Sequence, residues 1–132
     1  LVFLMVQQIT NGIKISVKTK HEGIRIHGFR KYYIFSYSVT IENQSKDAVQ
    51  LLSRHWHIFD SLKKEEIVEG EGVIGEKPIL SPKKTYTYTS SCHLISPIGS
   101  MHGFFNMINF TTTKRFRVLI PQFQLTLPQI LN

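Results

Sequence analysis

Val49-Gln50-Leu51-Leu52-Ser53-Arg54-His55-Trp56 sets the chain's one Trp beside a His and an Arg in an extended, half-buried pattern. Fourteen residues after Trp56 comes Gly70-Glu71-Gly72-Val73-Ile74-Gly75, which spells GxGxxG. Read as a phosphate-binding loop, the second stretch makes the chain an α/β nucleotide binder; read as a turn, it leaves an all-β domain.

The surroundings favour the turn. A dinucleotide fingerprint needs a strand before it, a helix after it and an acidic residue about twenty positions on. Ile67-Val68 can end a strand, but Pro78 comes three residues after Gly75, and Ile79-Leu80 runs straight into Ser81-Pro82. No helix starts there, so no helix N-terminus is available to a pyrophosphate. No Gly-Lys-Ser or Gly-Lys-Thr follows, which excludes a Walker loop. Glu69, Glu71 and Glu76 would repel a polyphosphate by about 1 kcal/mol per pair even at water-like screening. Gly70, Gly72 and Gly75 are expected to supply positive φ or a bulge between strands. A glycine nest holding a small anion is the alternative.

Working outward, period-two patterning recurs. Ile13, Ile15 and Val17 alternate with Lys14, Ser16 and Lys18, and Tyr33, Phe35, Tyr37, Val39 and Ile41 alternate with Ser36, Ser38, Thr40 and Glu42. From Gln50 to Asp60, Leu52, Trp56 and Ile58 are expected on one face and Ser53, His55 and His57 on the other. Tyr86 and Tyr88 alternate with threonines, while Met101–Phe110 and Phe116–Leu127 are apolar on both sides and suggest central strands. Turn clusters lie between, at residues 42–47, 60–64, 81–84 and 96–99. No twelve-residue window carries a helical period. The pattern predicts an all-β immunoglobulin- or fibronectin-type sandwich of seven or more strands. Its core would rest on Trp56 and the nine Phe, with Pro121 marking an edge strand.

Residues 1–132 are expected to form one domain, with 1–12 an extended or poorly ordered start. The first apolar run ends at Val6, too short for a signal-peptide core or a membrane span. One Cys excludes an internal disulfide and suits a reducing compartment, so the expected setting is the cytoplasm. The net charge of +7 is uneven: six of the nine acids fall between Asp60 and Glu76, and none follows Lys77. A basic body attracts nucleic acid non-specifically, yet no Arg-rich or aromatic-interleaved motif predicts specific binding.

His55 and His57 share a face, but a metal site needs a third ligand, and spacing alone does not bring His93, His102 or Cys92 near them. A solvent- or partner-facing His pair is expected, with no metal and no cofactor. Cys92 matches no nucleophile signature and reads as a small buried residue. With no catalytic constellation, the expectation is a non-enzyme.

The runs Gln50–Trp56, Glu69–Pro78, Tyr88–Cys92, Gly99–Gly103 and Ile120–Leu125 with Leu131-Asn132 closely resemble the bacterial ApaG family over nearly the whole chain from Ile13. The resemblance implies a fibronectin-type sandwich in a small cytosolic protein without established enzymatic activity. It also implies a link to cobalt tolerance and magnesium efflux, and, through related eukaryotic domains, a protein-interaction module. The chain departs from the family where His57 replaces an apolar residue, so the His pair is not a family metal site. It departs again where Glu71 replaces an uncharged residue, and where Phe104 replaces a small one and is expected to enlarge an exposed apolar patch.

The expected function is therefore a non-catalytic protein-binding sandwich, with Arg54, His55 and Phe104 as candidate anchors. Arg54 has an equal alternative, covering Trp56 within an internal hydrogen-bond network. The competing function is a small-anion or divalent-ion sensor built on Gly70, Gly72 and Gly75. An open edge strand would also permit a homodimer.

Overall fold

Asn11-Gly12, with φ of 50° and 78°, makes a two-residue hairpin turn of the kind such a pair favours. It folds strand β1 (Leu4–Thr10) back along β2 (Ile13–His27), pairing Thr10 with Ile13 and Leu4 with Thr19. The expected extended start at 1–12 is thus an ordered strand over Leu4–Thr10. The computed structural model describes residues 4–130, so residues 1–3 and the Leu131-Asn132 ending lie outside the described residues.

The other strands are β3 (Arg30–Asn43), β4 (Val49–Asp60), β5 (Glu66–Glu71), β6 (Ile79–Leu80), β7 (Thr85–Leu94), β8 (Gly99–Asn109) and β9 (Arg115–Gln124). A short 3-10 turn, Pro128–Ile130, follows. Two antiparallel sheets result: β1-β2-β3-β7, and β5-β4-β8-β9 with β6 also paired to β4. This is the β-sandwich that the alternation predicts.

Strand β2 runs past the expected Lys18. Beyond a bulge at Glu22 it continues as a two-stranded ribbon with β3 around the Gly28-Phe29 turn, and this ribbon leaves Ile24, Ile26 and Phe29 exposed. Ile24 and Ile26 keep the period of two, but without a second sheet above them they have nothing to bury against.

A second bulge corrects the facing of β4. The register shifts between Leu51 and Ser53, so one extra residue turns the strand over. Val49 and Leu51 are in the core before the bulge and Trp56 after it; Leu52, expected beside Trp56, is not. Arg54 therefore shares Trp56's inward side, and His55 and His57 project from the outer face.

The core joins both sheets and is mainly aliphatic, built on Ile13, Ile15, Val17, Val39, Ile41, Leu51 and Val118. Its aromatic centre is Trp56, with Tyr37 at 5.6 Å and Phe123 at 5.8 Å between ring centroids. Among the described phenylalanines only Phe35, Phe105 and Phe123 are buried, whereas Phe29, Phe59 and Phe110 are exposed. The core thus rests less on Phe than the composition suggests.

The edges of the two sheets differ. Strand β9 ends its sheet and is not central; β1 lies beside it, with the Leu119 amide donating to Thr10 Oγ1 at 3.3 Å. Pro121 falls where the β8–β9 register slips, as an edge-strand proline should. On the opposite side, β5 and β7 end their sheets with no strand beyond them among the described residues.

Candidate functional site

Between the β5 and β7 edges the sandwich opens into a cleft of about 420 Å³, lined by Tyr37, Arg54, Trp56, Val68, Tyr88 and Cys92 among others. Tyr88 has a buried phenol oxygen with no hydrogen-bond partner among the described residues. Burial raises its pKa and that of Tyr37, and pushes the Cys92 thiol up to about 11, with the Glu66 and Asp60 carboxylates adding to the shift. Thiolate chemistry near neutral pH is thereby disfavoured at Cys92.

The strand above this cleft is unusual. Thr85–Leu94 reads TYTYTSSCHL and contains no Lys, Arg, Asp, Glu or Pro, the residues that natural edge strands use to repel a further strand. By contrast, β5 carries Glu66, Glu69 and Glu71.

Arg54 reaches across to the glycine loop. Its Nη1 donates to the carbonyl oxygens of Glu71 and Gly72, both at 2.9 Å. Gly70 makes room for it: a Cβ there would stand 2.6 Å from Arg54 Nη2. Gly72 and Gly75 have φ of 59° and 80°, the expected positive values, while Gly70 sits inside β5 and serves by close approach instead.

Three of the loop's amides are already used. Gly72 N–H donates to Leu52 O, Val73 N–H to Glu76 O and Glu76 N–H to Val73 O, each at 2.8 Å. An anion nest needs such amides free and convergent, so the alternative reading of the loop finds none at these three positions.

On the outer face, the structure brings together what spacing could not. His57 stands directly across from His102 of β8, and His55 lies between Phe104 of β8 and Glu69 of β5. The His55 and Phe104 rings stack at 4.5 Å, and the Arg117 guanidinium lies 4.2 Å from the Phe104 centroid. Phe104 is therefore partly covered, with the exposed Leu119 across from it on β9. Of the three candidate anchors, His55 and Phe104 lie together, and Arg54 projects from the other side of β4.

Sequence reasoning named His102 without placing it, and missed Glu65 and Glu69 as partners of the histidines. The two glutamates were within reach, because a hairpin centred on the 60–64 turn cluster sets His55 opposite Glu69. His102 depends on β4–β8 pairing across a connection of nearly forty residues, for which the sequence carries no local signal.

The model for the ApaG domain matches residues 27–109, which span β3 through β8 and hold the cleft, the glycine loop and the histidines. This chain belongs to the ApaG family. Among its relatives, the Protein ApaG of Mesorhizobium japonicum is 40% identical over 124 residues, covering 94% of this chain and 95% of that one. The Protein ApaG of Beijerinckia indica is 41% identical over 133 residues, covering 97% and 100%. An X-ray structure of a structural-genomics target superposes with a TM-score of 0.86 at 36% identity, covering 92% of each chain. The crystal structure of a putative ApaA protein from Bordetella pertussis gives 0.77 at 32%, covering 93% and 96%. The ApaG domain match and the sandwich fold indicate no catalytic family. Among the described residues no helix is long and apolar enough to cross a membrane.

Proposed function

We propose that this ApaG-family chain is a non-catalytic protein-binding module that takes an extended segment of a partner protein along β7. The observation that carries the reading is the ten-residue edge Thr85–Leu94, which is open on one side and free of fixed charge. An added strand gains main-chain hydrogen bonds along such an edge, and pockets for alternate side chains give selectivity. The cleft of about 420 Å³ beneath the edge is large enough for one or two apolar side chains.

In this reading Arg54 shapes the floor of the cleft instead of meeting the partner head-on. The proposed setting is the cytoplasm, and any link to cobalt tolerance or magnesium efflux runs through the partner. A second copy pairing β7 to β7 is the competing occupant, recognisable as a concentration-dependent dimer in sedimentation. The test is capture of partners from a bacterial extract by the purified chain and by Ser91→Lys, which charges an exposed position of β7. The reading expects Ser91→Lys to lose the partner while its unfolding curve stays unchanged. Equal recovery by both proteins removes β7 from the interface.

A further inference from the structure

Three strands build a platform on the outer face that the protein-binding reading does not use. His55 Nδ1 lies 2.6 Å from Glu69 Oε1, and His57 Nδ1 lies 2.8 Å from Glu65 Oε1. With each Nδ1 turned to a carboxylate, the two Nε2 atoms face one another at 3.1 Å. Ring stacking holds the orientations: His57 on His102 at 4.7 Å and 4°, His55 on Phe104 at 4.5 Å and 10°.

A proton inventory shows what this arrangement lacks. Each Nδ1 bears a hydrogen donated to its glutamate, so the two Nε2 lone pairs point at one another unless a single proton is shared between them. Without that proton, two lone pairs collide; with it, one ring carries a charge. A metal ion resolves the conflict with both rings neutral, because an imidazole whose Nδ1–H is held by a carboxylate is the tautomer that ligates through Nε2. Two imidazole nitrogens on one tetrahedral zinc ion stand about 3.3 Å apart, given bonds of about 2.0–2.1 Å. The separation here is already close to that. Further donors are at hand, since ligand-capable atoms of His57, Glu65 and His102 all lie within 4.8 Å of one another. The side chains of His55 and His57 are 17% and 27% exposed, buried enough to be held and open enough for an ion to enter.

We infer that His55 and His57 bind one divalent transition-metal ion of the zinc class through their Nε2 atoms, with Glu69 and Glu65 orienting them and His102, once turned out of its stack on His57, as the third imidazole. Imidazole-rich sites suit that class, whereas magnesium and calcium prefer oxygen donors. The inference is independent of the β7 edge, because the platform faces away from the cleft.

The test is calorimetric titration of the untagged, chelator-stripped chain with Zn²⁺, alongside ¹⁵N NMR of the imidazole nitrogens. One Zn²⁺ per chain is expected, with the Nε2 signals of His55 and His57 moving on addition. His57→Gln should abolish the binding, and Glu69→Gln should weaken it by about 10–100-fold, as loss of an orienting carboxylate does. His102→Asn, on a different strand, gives the same readout if His57→Gln does not fold. No uptake of Zn²⁺, uptake unchanged in His57→Gln and His102→Asn, or shifts confined to His21, His27 or His93 would overturn the inference.

Discussion

Arg54 Nη1 donates to the carbonyl oxygen of Gly72 at 2.9 Å and ties the glycine loop to the inward side of β4. The same nitrogen holds the Glu71 carbonyl. A charged donor serving one exposed and one part-buried acceptor contributes about 1.5–3 kcal/mol. Arg54→Ala should therefore lower the stability of the fold by about 2 kcal/mol in denaturant titration. Arg54→Lys should recover little of it, because an ammonium lacks the planar fork. An Arg54→Ala protein as stable as wild type would mean the clasp contributes nothing.

Two glycines of the loop should respond differently to a methyl group. At Gly72 an added Cβ would lie 2.2 Å from the Glu76 carbonyl oxygen, in addition to the strain of a φ of 59°. At Gly75, with φ of 80°, nothing lies within 4 Å. Gly75→Ala should cost only the left-handed backbone strain, about 1–2 kcal/mol, and Gly72→Ala clearly more. Thermal unfolding of the two proteins side by side checks the order.

Much of this loop's behaviour was legible before any coordinates. Pro78 and the three glutamates removed the nucleotide reading, and the turn clusters placed most strands, because alternation and turn chemistry are local signals. Leu52 was assigned to the wrong face because a bulge is invisible to a strict period of two. The reading of 1–12 as extended or poorly ordered leaves both open, although Asn11-Gly12 announces the β1–β2 hairpin. His102 and the cleft lay beyond reach for a different reason: both arise from pairing between residues far apart in the chain.

Because the amides of Gly72, Val73 and Glu76 already donate within the protein, pyrophosphate should not bind there. Amide NMR with millimolar pyrophosphate is expected to leave these three signals in place. Saturable shifts at all three would restore the anion-sensing function.

Cys92 offers a pH-dependent readout of the cleft. Its thiol is raised from 9.0 to about 11, first by burial, which lowers the thiolate fraction near neutral pH by about 100-fold relative to an unperturbed thiol. Alkylation by iodoacetamide should be correspondingly slow in the folded protein and should accelerate only towards pH 11. The folded state keeps this proton to higher pH than the unfolded chain. Its contribution to stability is therefore full below about pH 9 and is lost as pH rises towards 11. Rapid alkylation of the native protein at pH 8 would show a more open cleft than the structure has.

The central claim is that a partner adds a strand to β7. Amide hydrogen exchange, measured on the chain alone and with a captured partner, tests it most directly. The account predicts new protection concentrated in Thr85–Leu94, with the amides of β1 and β9 unchanged. Protection confined to the His55–Phe104 face or to the ribbon around Phe29, with β7 exchanging as before, would contradict it.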